Sequence, residues 1–293
     1  MKKTQAMPFA WIFALIIGGA ILFLAIFFSG KLFETSSQQT EAELARSLDI
    51  LINPLSSFQA SISNRISMPE KIQVNFSCDK NADSNTISLR TARGKEPFSY
   101  VIKNKYIFAD DFDSKELWVF SKPFEPAWKV DNLNYLVSKN YCFVNPSESI
   151  KREMSAFNSS FIQVVSDRAV CKDNAVDVCF SGVCDITVNY AEKTVKIKTS
   201  SLRFIDDSTM YGAIFGSKNY GCNLERLLKR MDFQADVFLQ KADIIASRGC
   251  NEIAALKQEI LGLKAAINRG DYGQIRDYGQ RANEMNKISC SLY

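Results

Sequence analysis

The strongest feature of the hydrophobic pattern is an uninterrupted apolar run near the N-terminus. It reads PFAWIFALIIGGAILFLAIFFSG, from Pro8 to Gly30, and contains no charged side chain. As a helix, the part from Pro8 to Ser29 would span roughly 33 Å, which matches the ~30 Å hydrocarbon core of a bilayer. A cleaved signal peptide is the alternative, but its apolar region is usually about 7–15 residues long and ends at a small-x-small site, which is missing here. The pattern favours a transmembrane helix over residues 8–30, after a cytoplasmic tip of residues 1–7.

Beyond the apolar run, hydrophobic positions take on helical spacing. Leu44, Leu48, Leu51 and Leu55 recur at intervals of four, three and four residues. This spacing places them on one face of an amphipathic helix. The sequence therefore predicts a helical stalk over residues 31–66, whose apolar stripe faces either the protein's own core or a partner helix.

From residue 67 the apolar period changes to two. Segments such as "IQVNF", "LWVF", "CDITVNY" and "TVKIKT" alternate β-branched or aromatic residues with polar ones, which is typical of antiparallel strands. Residues 191–193, "AEK", are expected to join two of these strands as a hairpin. A helix is expected between the strands, with Pro146 at its first position and its end near Phe157. Residues 67–221 are thus predicted to form a β-rich, mixed α+β head.

The remaining residues, 222–293, show three apolar stripes at helical spacing. Gly270 is expected to end the second helix, and Asp271 with Gln274 to cap the third. The short connection predicts that these two helices pack antiparallel. The whole chain is therefore predicted to be an α+β protein with an N-terminal transmembrane helix and stalk, a β-rich head and a C-terminal antiparallel helical subdomain.

All the cysteines follow the apolar run. The chain has eight, an even number. An even set behind a membrane segment predicts disulfides in an extracytoplasmic domain, because disulfides persist outside the cytosol. The positive-inside rule decides little here, since basic residues nearly balance across the segment. We therefore expect a cytoplasmic N-terminus and an extracytoplasmic remainder. The cysteines are Cys78, Cys142, Cys171, Cys179, Cys184, Cys222, Cys250 and Cys290.

One disulfide pair follows from helix geometry. Cys250 lies just before the second C-terminal helix, and Cys290 just after the third. The two helices have nearly equal predicted lengths of roughly 28 and 27 Å, so an antiparallel hairpin brings these cysteines together. Cys222 is a poorer partner for Cys250, because the helix between them would separate their ends by roughly 40 Å. The other six cysteines allow fifteen connectivities, among which the sequence does not choose.

Two glycosylation sequons fit an extracytoplasmic head. They are Asn75-Phe76-Ser77 and Asn158-Ser159-Ser160, whose candidate acceptors are Asn75 and Asn158. The apolar run also carries small residues four apart at Ala10, Ala14 and Gly18. Such a ridge lets two membrane helices approach closely, so it is a candidate surface for self-association or for a protein partner.

Charge and composition exclude several functional classes. The chain has a net charge of +4 and shows no nucleic-acid footprint. It contains no histidine, which excludes Ser-His-Asp and Cys-His nucleophilic sites. A cysteine-only zinc set at Cys171, Cys179 and Cys184 has looser spacing than zinc ribbons, so disulfides are favoured. The acidic runs 110–113 and 206–207 are interpreted as turns rather than as calcium or acid–base sites. We expect no enzymatic activity, no cofactor and no metal.

Several segments together resemble a known group of proteins. They are "MPFAWIFALIIGGAILFLAIFF", "NKYIFADDFDSKELWVFSKPFE", "NYCFVN" and "YGAIFGSKNYGCNLERLLKRM". They resemble uncharacterised single-pass membrane proteins of archaea with small genomes, which implies location and organisation but no chemistry. More loosely, an apolar helix that carries a β-rich head is similar to a type IV pilin-like subunit. "KKTQ" lies near the position of the pilin processing site, where Thr4 replaces the usual Gly or Ala.

Three functions follow from these observations. The first is an anchored interaction or structural component of the cell envelope. The second is a pilin-like filament subunit. The third, an anchored enzyme, is disfavoured because the commonest general base is absent from the sequence. We therefore expect a non-enzymatic protein whose partners are the membrane and other envelope proteins.

Overall fold

The computed structural model describes residues 11–29, 43, 46, 63–92, 97–157, 160–288 and 290–293. They form an α+β protein with an N-terminal apolar helix, two six-stranded sheets and a set of C-terminal helices that pack together. This is the fold class that the hydrophobic periods predict.

The N-terminal apolar helix, α1, runs from Trp11 to Ser29 with a mean hydropathy of 2.7. None of this segment is buried in the protein. Ala14 and Gly18 of the predicted small-residue ridge lie in α1 and are exposed, and the space around a Cβ added at Gly18 is open. Ala10 lies outside the described residues. By length and composition, α1 is suited to be a membrane anchor or a signal sequence.

Most of the predicted stalk lies outside the described residues, and this includes its apolar stripe of Leu44, Leu48, Leu51 and Leu55. Glu43 and Arg46 are described and are helical. The end of the predicted stalk differs from the expectation, because the first strand already begins at residue 63. Residues 63–66 pair with residues 117–120 of another strand instead of extending a helix. The helical spacing ends at Leu55, so at residues 63–66 pairing with the neighbouring strand decides the conformation.

The first sheet has the strand order β3-β2-β1-β5-β6-β4. Its pairs are antiparallel except β4 with β6. Its strands are β1 Ser63–Asp79, β2 Ser84–Thr91, β3 Phe98–Lys103, β4 Tyr106–Phe108, β5 Phe112–Phe124 and β6 Asp131–Val137.

The second sheet has the order β12-β11-β10-β9-β7-β8. Its strands are β7 Tyr141–Val144, β8 Ile162–Val165, β9 Val176–Cys179, β10 Ile186–Asn189, β11 Thr194–Ile197 and β12 Ser200–Arg203. The predicted hairpin is confirmed, since β10 and β11 pair antiparallel with Val188 opposite Val195. The antiparallel pairing that the sequence predicts is wrong for three pairs of this sheet, β7–β8, β7–β9 and β9–β10, and for β4–β6 of the first sheet, all of which are parallel. Crossover connections produce these pairs, and strand periodicity carries no signal for them.

The helix between β7 and β8, α2, spans Glu148–Ala156 and has Ser147 at its N-cap. Pro146 therefore precedes the helix and does not occupy its first position. The reason lies in Asn145, whose left-handed backbone (φ 51°) turns the chain away from β7. The backbone N–H of Asn145 donates to the Val165 carbonyl at 2.8 Å, so it ties this turn to β8.

Four further α-helices lie among the described residues: α3 Asp207–Phe215, α4 Tyr220–Ser247, α5 Ile253–Arg269 and α6 Tyr272–Ile288. Gly270 ends α5 in the left-handed conformation (φ 67°), and Asp271 accepts a hydrogen bond from the Gln274 backbone at 3.1 Å, as the sequence predicts. One core cluster runs from the sheets through α3 into α4, α5 and α6. The C-terminal helices thus share their core with the head.

Aromatic side chains fill the centre of this core. Phe120 stacks on Tyr135 at a centroid distance of 4.8 Å, and Phe215 meets Tyr141 edge-on at 4.9 Å. Burial raises the pKa of Tyr106 to about 12 and raises the pKa values of Tyr135 and Tyr141 as well. These phenols therefore stay neutral in the folded protein at a pH where exposed tyrosines ionise.

Alkaline pH is expected to unfold the head cooperatively. Tyrosines in the unfolded chain lose their protons near pH 10, whereas the buried ones retain theirs, so the free energy of unfolding falls as the pH rises above about 10. Phenolate absorbance and far-ultraviolet circular dichroism, followed together, should change in one step. Ionisation of all tyrosines near pH 10 with the circular dichroism unchanged would contradict the buried placement.

Candidate functional site

A cavity with a volume of about 640 Å³ lies among the described residues. Tyr141, Val176 and Ile186 line it, and they are the first residues of β7, β9 and β10. Because these strands are parallel neighbours, their amino ends meet at one edge of the second sheet. The β11–β12 turn and the residues Ser217 and Lys218, after α3, also line it. We name this space the strand-end cavity.

Three lysines line the strand-end cavity: Lys139, Lys198 and Lys218. Lys218 forms an ion pair with Asp111 at 2.5 Å. Neither of the other two forms an ion pair with any described residue. Lys198 stands in the β11–β12 turn with a left-handed backbone (φ 52°), which is uncommon for a residue with a long side chain.

The two carboxylates of the strand-end cavity accept hydrogen bonds from the protein. Asp110 accepts from the Ser217 hydroxyl and the Lys218 backbone N–H, both at 3.2 Å. Asp185 accepts from the Asp177 backbone N–H at 3.1 Å. The Asp110 backbone N–H in turn donates to the Phe215 carbonyl at 3.0 Å, so this acidic run fixes the approach of α3 to the first sheet. The prediction of a turn over residues 110–113 is wrong for Phe112 and Asp113, which begin β5 and pair with β1, whereas Asp110 and Asp111 lie in the connection from β4 to β5.

Tyr141 contributes a neutral hydrogen-bonding group to the wall of the strand-end cavity. Burial raises the pKa of this phenol, and the negative charge of Asp110 raises it further. No described residue forms a hydrogen bond with its hydroxyl. The hydroxyl is therefore a protonated donor that is open to a ligand.

A second and smaller cavity, of about 370 Å³, lies beside the start of α3 and brings Lys122, Lys193 and Arg276 near Asp206 and Asp207. Each of these groups has a structural task. Asp206 caps α3 through a capping box with Thr209. The Tyr190 hydroxyl donates to Asp207 at 2.6 Å, and the Lys193 ammonium lies 4.6 Å from the ring of Tyr190.

The pKa values in the smaller cavity follow from the same packing. Burial raises the pKa of Asp206 and lowers that of Lys193, which the positive charge of Arg276 lowers further. Cations and carboxylates oppose each other here, and Lys122 is paired with Glu153. This cavity therefore has less unmatched bonding capacity than the strand-end cavity.

All eight cysteines form disulfides. The pairs are Cys78–Cys222, Cys142–Cys171, Cys179–Cys184 and Cys250–Cys290. Their Cα distances of 6.1, 5.8, 5.7 and 6.4 Å lie in the usual range for disulfides. The pair at Cys250 and Cys290 is the one that the helical hairpin predicts. Cys78–Cys222 joins β1 to α4 across 144 residues, and local sequence patterns give no signal for it.

In two groups of side chains the potential ligand atoms lie close enough together to hold a metal ion: Cys142 with Cys171 and Asp177, and Cys250 with Glu252 and Cys290. In both, the sulfurs are bonded to each other. A disulfide sulfur is not the thiolate that binds zinc. The alternative zinc set of Cys171, Cys179 and Cys184 is likewise divided between two disulfides.

The two sequons differ in what the structure shows. Asn75 lies inside β1, opposite Ser88 of β2, and is half-buried. Glycan acceptors are usually in surface loops, so this position is poorly suited to modification. Asn158 lies outside the described residues.

Sequence reasoning did not single out Tyr141, Lys139 or Lys198. The available signal was Lys198 followed by Thr199 at the β11–β12 turn, a place where Gly or Asn is usual. That signal becomes visible only once the register of β11 and β12 is known. Comparisons of the chain with models of protein families, with curated proteins and with solved structures give no match.

Proposed function

We propose that the protein is a single-pass membrane protein whose disulfide-bonded head lies outside the cytoplasm and acts as an interaction or structural component of the cell envelope. The observation that carries this proposal is the presence of a fully exposed apolar helix and four disulfides in one chain. The helix supplies the anchor, and the disulfides indicate the side of the membrane.

The exposed surface of α1 supports anchoring. Trp11, Phe13 and Leu15 are each more than half exposed, and the same holds for most large apolar side chains of the helix. Leaving this surface in water costs about 25 cal/mol per Å². Because the segment lacks a small-x-small cleavage site at its end, retention in the membrane is favoured over cleavage.

The disulfides support the extracytoplasmic placement of the head. Four bonds that include every cysteine would not persist in a reducing cytosol. The proposed orientation therefore has residues 1–7 in the cytoplasm and the C-terminus outside. Within the membrane, Ala14 and Gly18 leave room for a second helix, which makes α1 a proposed surface for association.

The charged groups support binding rather than catalysis. The chain has no histidine, and Asp110 and Asp206 are each engaged in hydrogen bonds to neighbouring backbone. These two carboxylates thus help to hold the fold together, which supports a structural role for them rather than acid–base chemistry.

Membrane extraction and surface proteolysis test the proposal together. We expect full-length protein in the membrane fraction after a carbonate wash, with its N-terminal sequence upstream of Pro8, because α1 is retained. We also expect a protease added to intact cells to digest the head. A soluble product that begins near Lys31 would show that α1 is a signal sequence, and a head that is protected until the cells are lysed would place it in the cytoplasm.

A further inference from the structure

We propose that the strand-end cavity binds an amphipathic organic anion, that is, a ligand with an apolar body and one carboxylate-type group. This inference goes beyond the proposed function, because neither the anchor nor the disulfides require a ligand. It rests on three features of the cavity: its apolar floor, its unpaired ammonium groups and the free hydroxyl on its wall.

The floor of the strand-end cavity suits an apolar body. Its volume of about 640 Å³ falls within the range of small-molecule sites. Ile186 and Ile214 are 5% and 1% exposed, so they form a fixed, well-packed surface. Further aliphatic side chains complete it: Val176, Ile197 and Leu202. A ligand of similar polarity gains free energy by leaving water for this surface.

The lysines of the rim require acceptors. An ammonium has three donors and no acceptor. The Lys218 ammonium already meets Asp111, whereas Lys139 and Lys198 meet no carboxylate among the described residues. Two ammonium groups beside an apolar floor therefore match a ligand that carries an anionic group at one end.

Each carboxylate of the cavity has one oxygen that accepts from the protein: Oδ1 of Asp110 accepts two hydrogen bonds, and Oδ2 of Asp185 accepts one from a backbone N–H. Lys139 and Lys198, in contrast, have no carboxylate partner among the described residues, and the hydroxyl of Tyr141 adds a further donor. This balance favours an anion over a cation of the same shape.

The backbone at Lys198 fixes the place of this residue beside the cavity. Lys198 has a left-handed backbone (φ 52°), which is the geometry expected of a two-residue hairpin turn such as the one between β11 and β12. The pairing of β11 with β12, in which Ile197 lies opposite Ser200, holds the turn in this conformation. This turn keeps Lys198 at the rim of the cavity. A glycine in its place would fit the backbone better but would remove the charge.

A matched set of probes tests the proposal on the full chain in nanodiscs of neutral lipid, with empty nanodiscs as the blank. The probes are 2-naphthoate, the neutral 2-naphthamide and the cationic 2-naphthylmethylamine, which share one apolar body. Isothermal titration calorimetry should show saturable binding of one naphthoate per protein, about fivefold or more tighter than the amide, and no binding of the amine.

Variants locate the binding. Lys139→Gln combined with Lys198→Gln should weaken naphthoate binding about fivefold, because two exposed charge contacts are lost. Tyr141→Phe should weaken it about fivefold through one hydrogen bond, while its ring still packs on Phe215. Lys196→Gln, an exposed lysine on the same strand end but outside the cavity, is the control and should leave the affinity unchanged.

Several outcomes would overturn the proposal. The amide or the amine could bind as tightly as naphthoate, or the protein could show no saturable binding above empty nanodiscs. The lysine double variant could leave the affinity for naphthoate unchanged, or Lys196→Gln could lower that affinity as much as the double variant does. Unfolding curves of each variant show whether its fold is intact. If Tyr141→Phe fails to fold, the two lysine variants decide the question, because their side chains are exposed.

Discussion

Replacing both Cys78 and Cys222 by serine is expected to lower the free energy of unfolding by about 5 kcal/mol. The bond closes a loop of 144 residues, the longest of the four. Without it, the unfolded chain gains the most conformational freedom. The bond also fixes the end of β1 against the first turn of α4, which is the junction between the first sheet and the C-terminal helices.

Polar contacts surround this disulfide and depend on the same docking. Lys80 pairs with Glu225 at 3.1 Å, and the buried Arg226 donates to Asp83 at 2.7 Å. The Arg226 side chain is only 1% exposed, so a loosened junction would leave a buried charge with a weakened partner. This adds a folded-state loss to the effect on the unfolded chain.

The matched control removes the shortest loop. Cys179 and Cys184 are five residues apart, so replacing both by serine should cost about 2 kcal/mol by the same chain-entropy relation. Chemical denaturation of the two double variants and the wild type, without reductant, measures the difference. Equal losses in the two variants would contradict the docking role of Cys78–Cys222.

Substituting Gly216 by alanine is expected to destabilise the head by about 3 kcal/mol or more. A Cβ at this position would lie 2.3 Å from the backbone nitrogen of Ala109 and 2.5 Å from the carbonyl carbon of Phe108. These are backbone atoms at the end of β4. They have little room to move, because β4 pairs with β6 and the next N–H, of Asp110, bonds to the Phe215 carbonyl.

A second glycine five residues later is the control. Gly221 lies in the first turn of α4, and an added Cβ there meets no atom within 4 Å. Gly221→Ala should change the free energy of unfolding by at most about 1 kcal/mol, in the stabilising direction, because alanine favours the helix. Thermal unfolding monitored by circular dichroism separates the two variants. Similar midpoints for both would show that the close approach at Gly216 is wrong.

Local patterns predicted the elements that depend on local chemistry. The β10–β11 hairpin, the end of α5 at Gly270 and the cap at Asp271 all follow from a few neighbouring residues. The Cys250–Cys290 pair follows too, since two helices of equal length joined by two residues leave little choice of geometry. In each case, the information lies within about forty residues of sequence.

Features that depend on distant contacts could not be predicted in this way. The parallel pairing of β7 with β9 depends on how the intervening chain crosses over, and alternation of side chains is the same in parallel and antiparallel strands. The start of β1 at Ser63 depends on its partner β5. The strand-end cavity combines residues from 110 to 218, so its lysines have no common signature in the sequence.

Thiol mapping in intact cells tests the central claim most directly. Cells are treated with an alkylating reagent that enters both compartments before lysis, and the full-length protein is then digested without reduction and analysed by mass spectrometry. We predict no alkylated cysteine and four linked peptide pairs: Cys78–Cys222, Cys142–Cys171, Cys179–Cys184 and Cys250–Cys290. Alkylated cysteines in place of these links would contradict the account, because they would show a reduced head on the cytoplasmic side of the membrane.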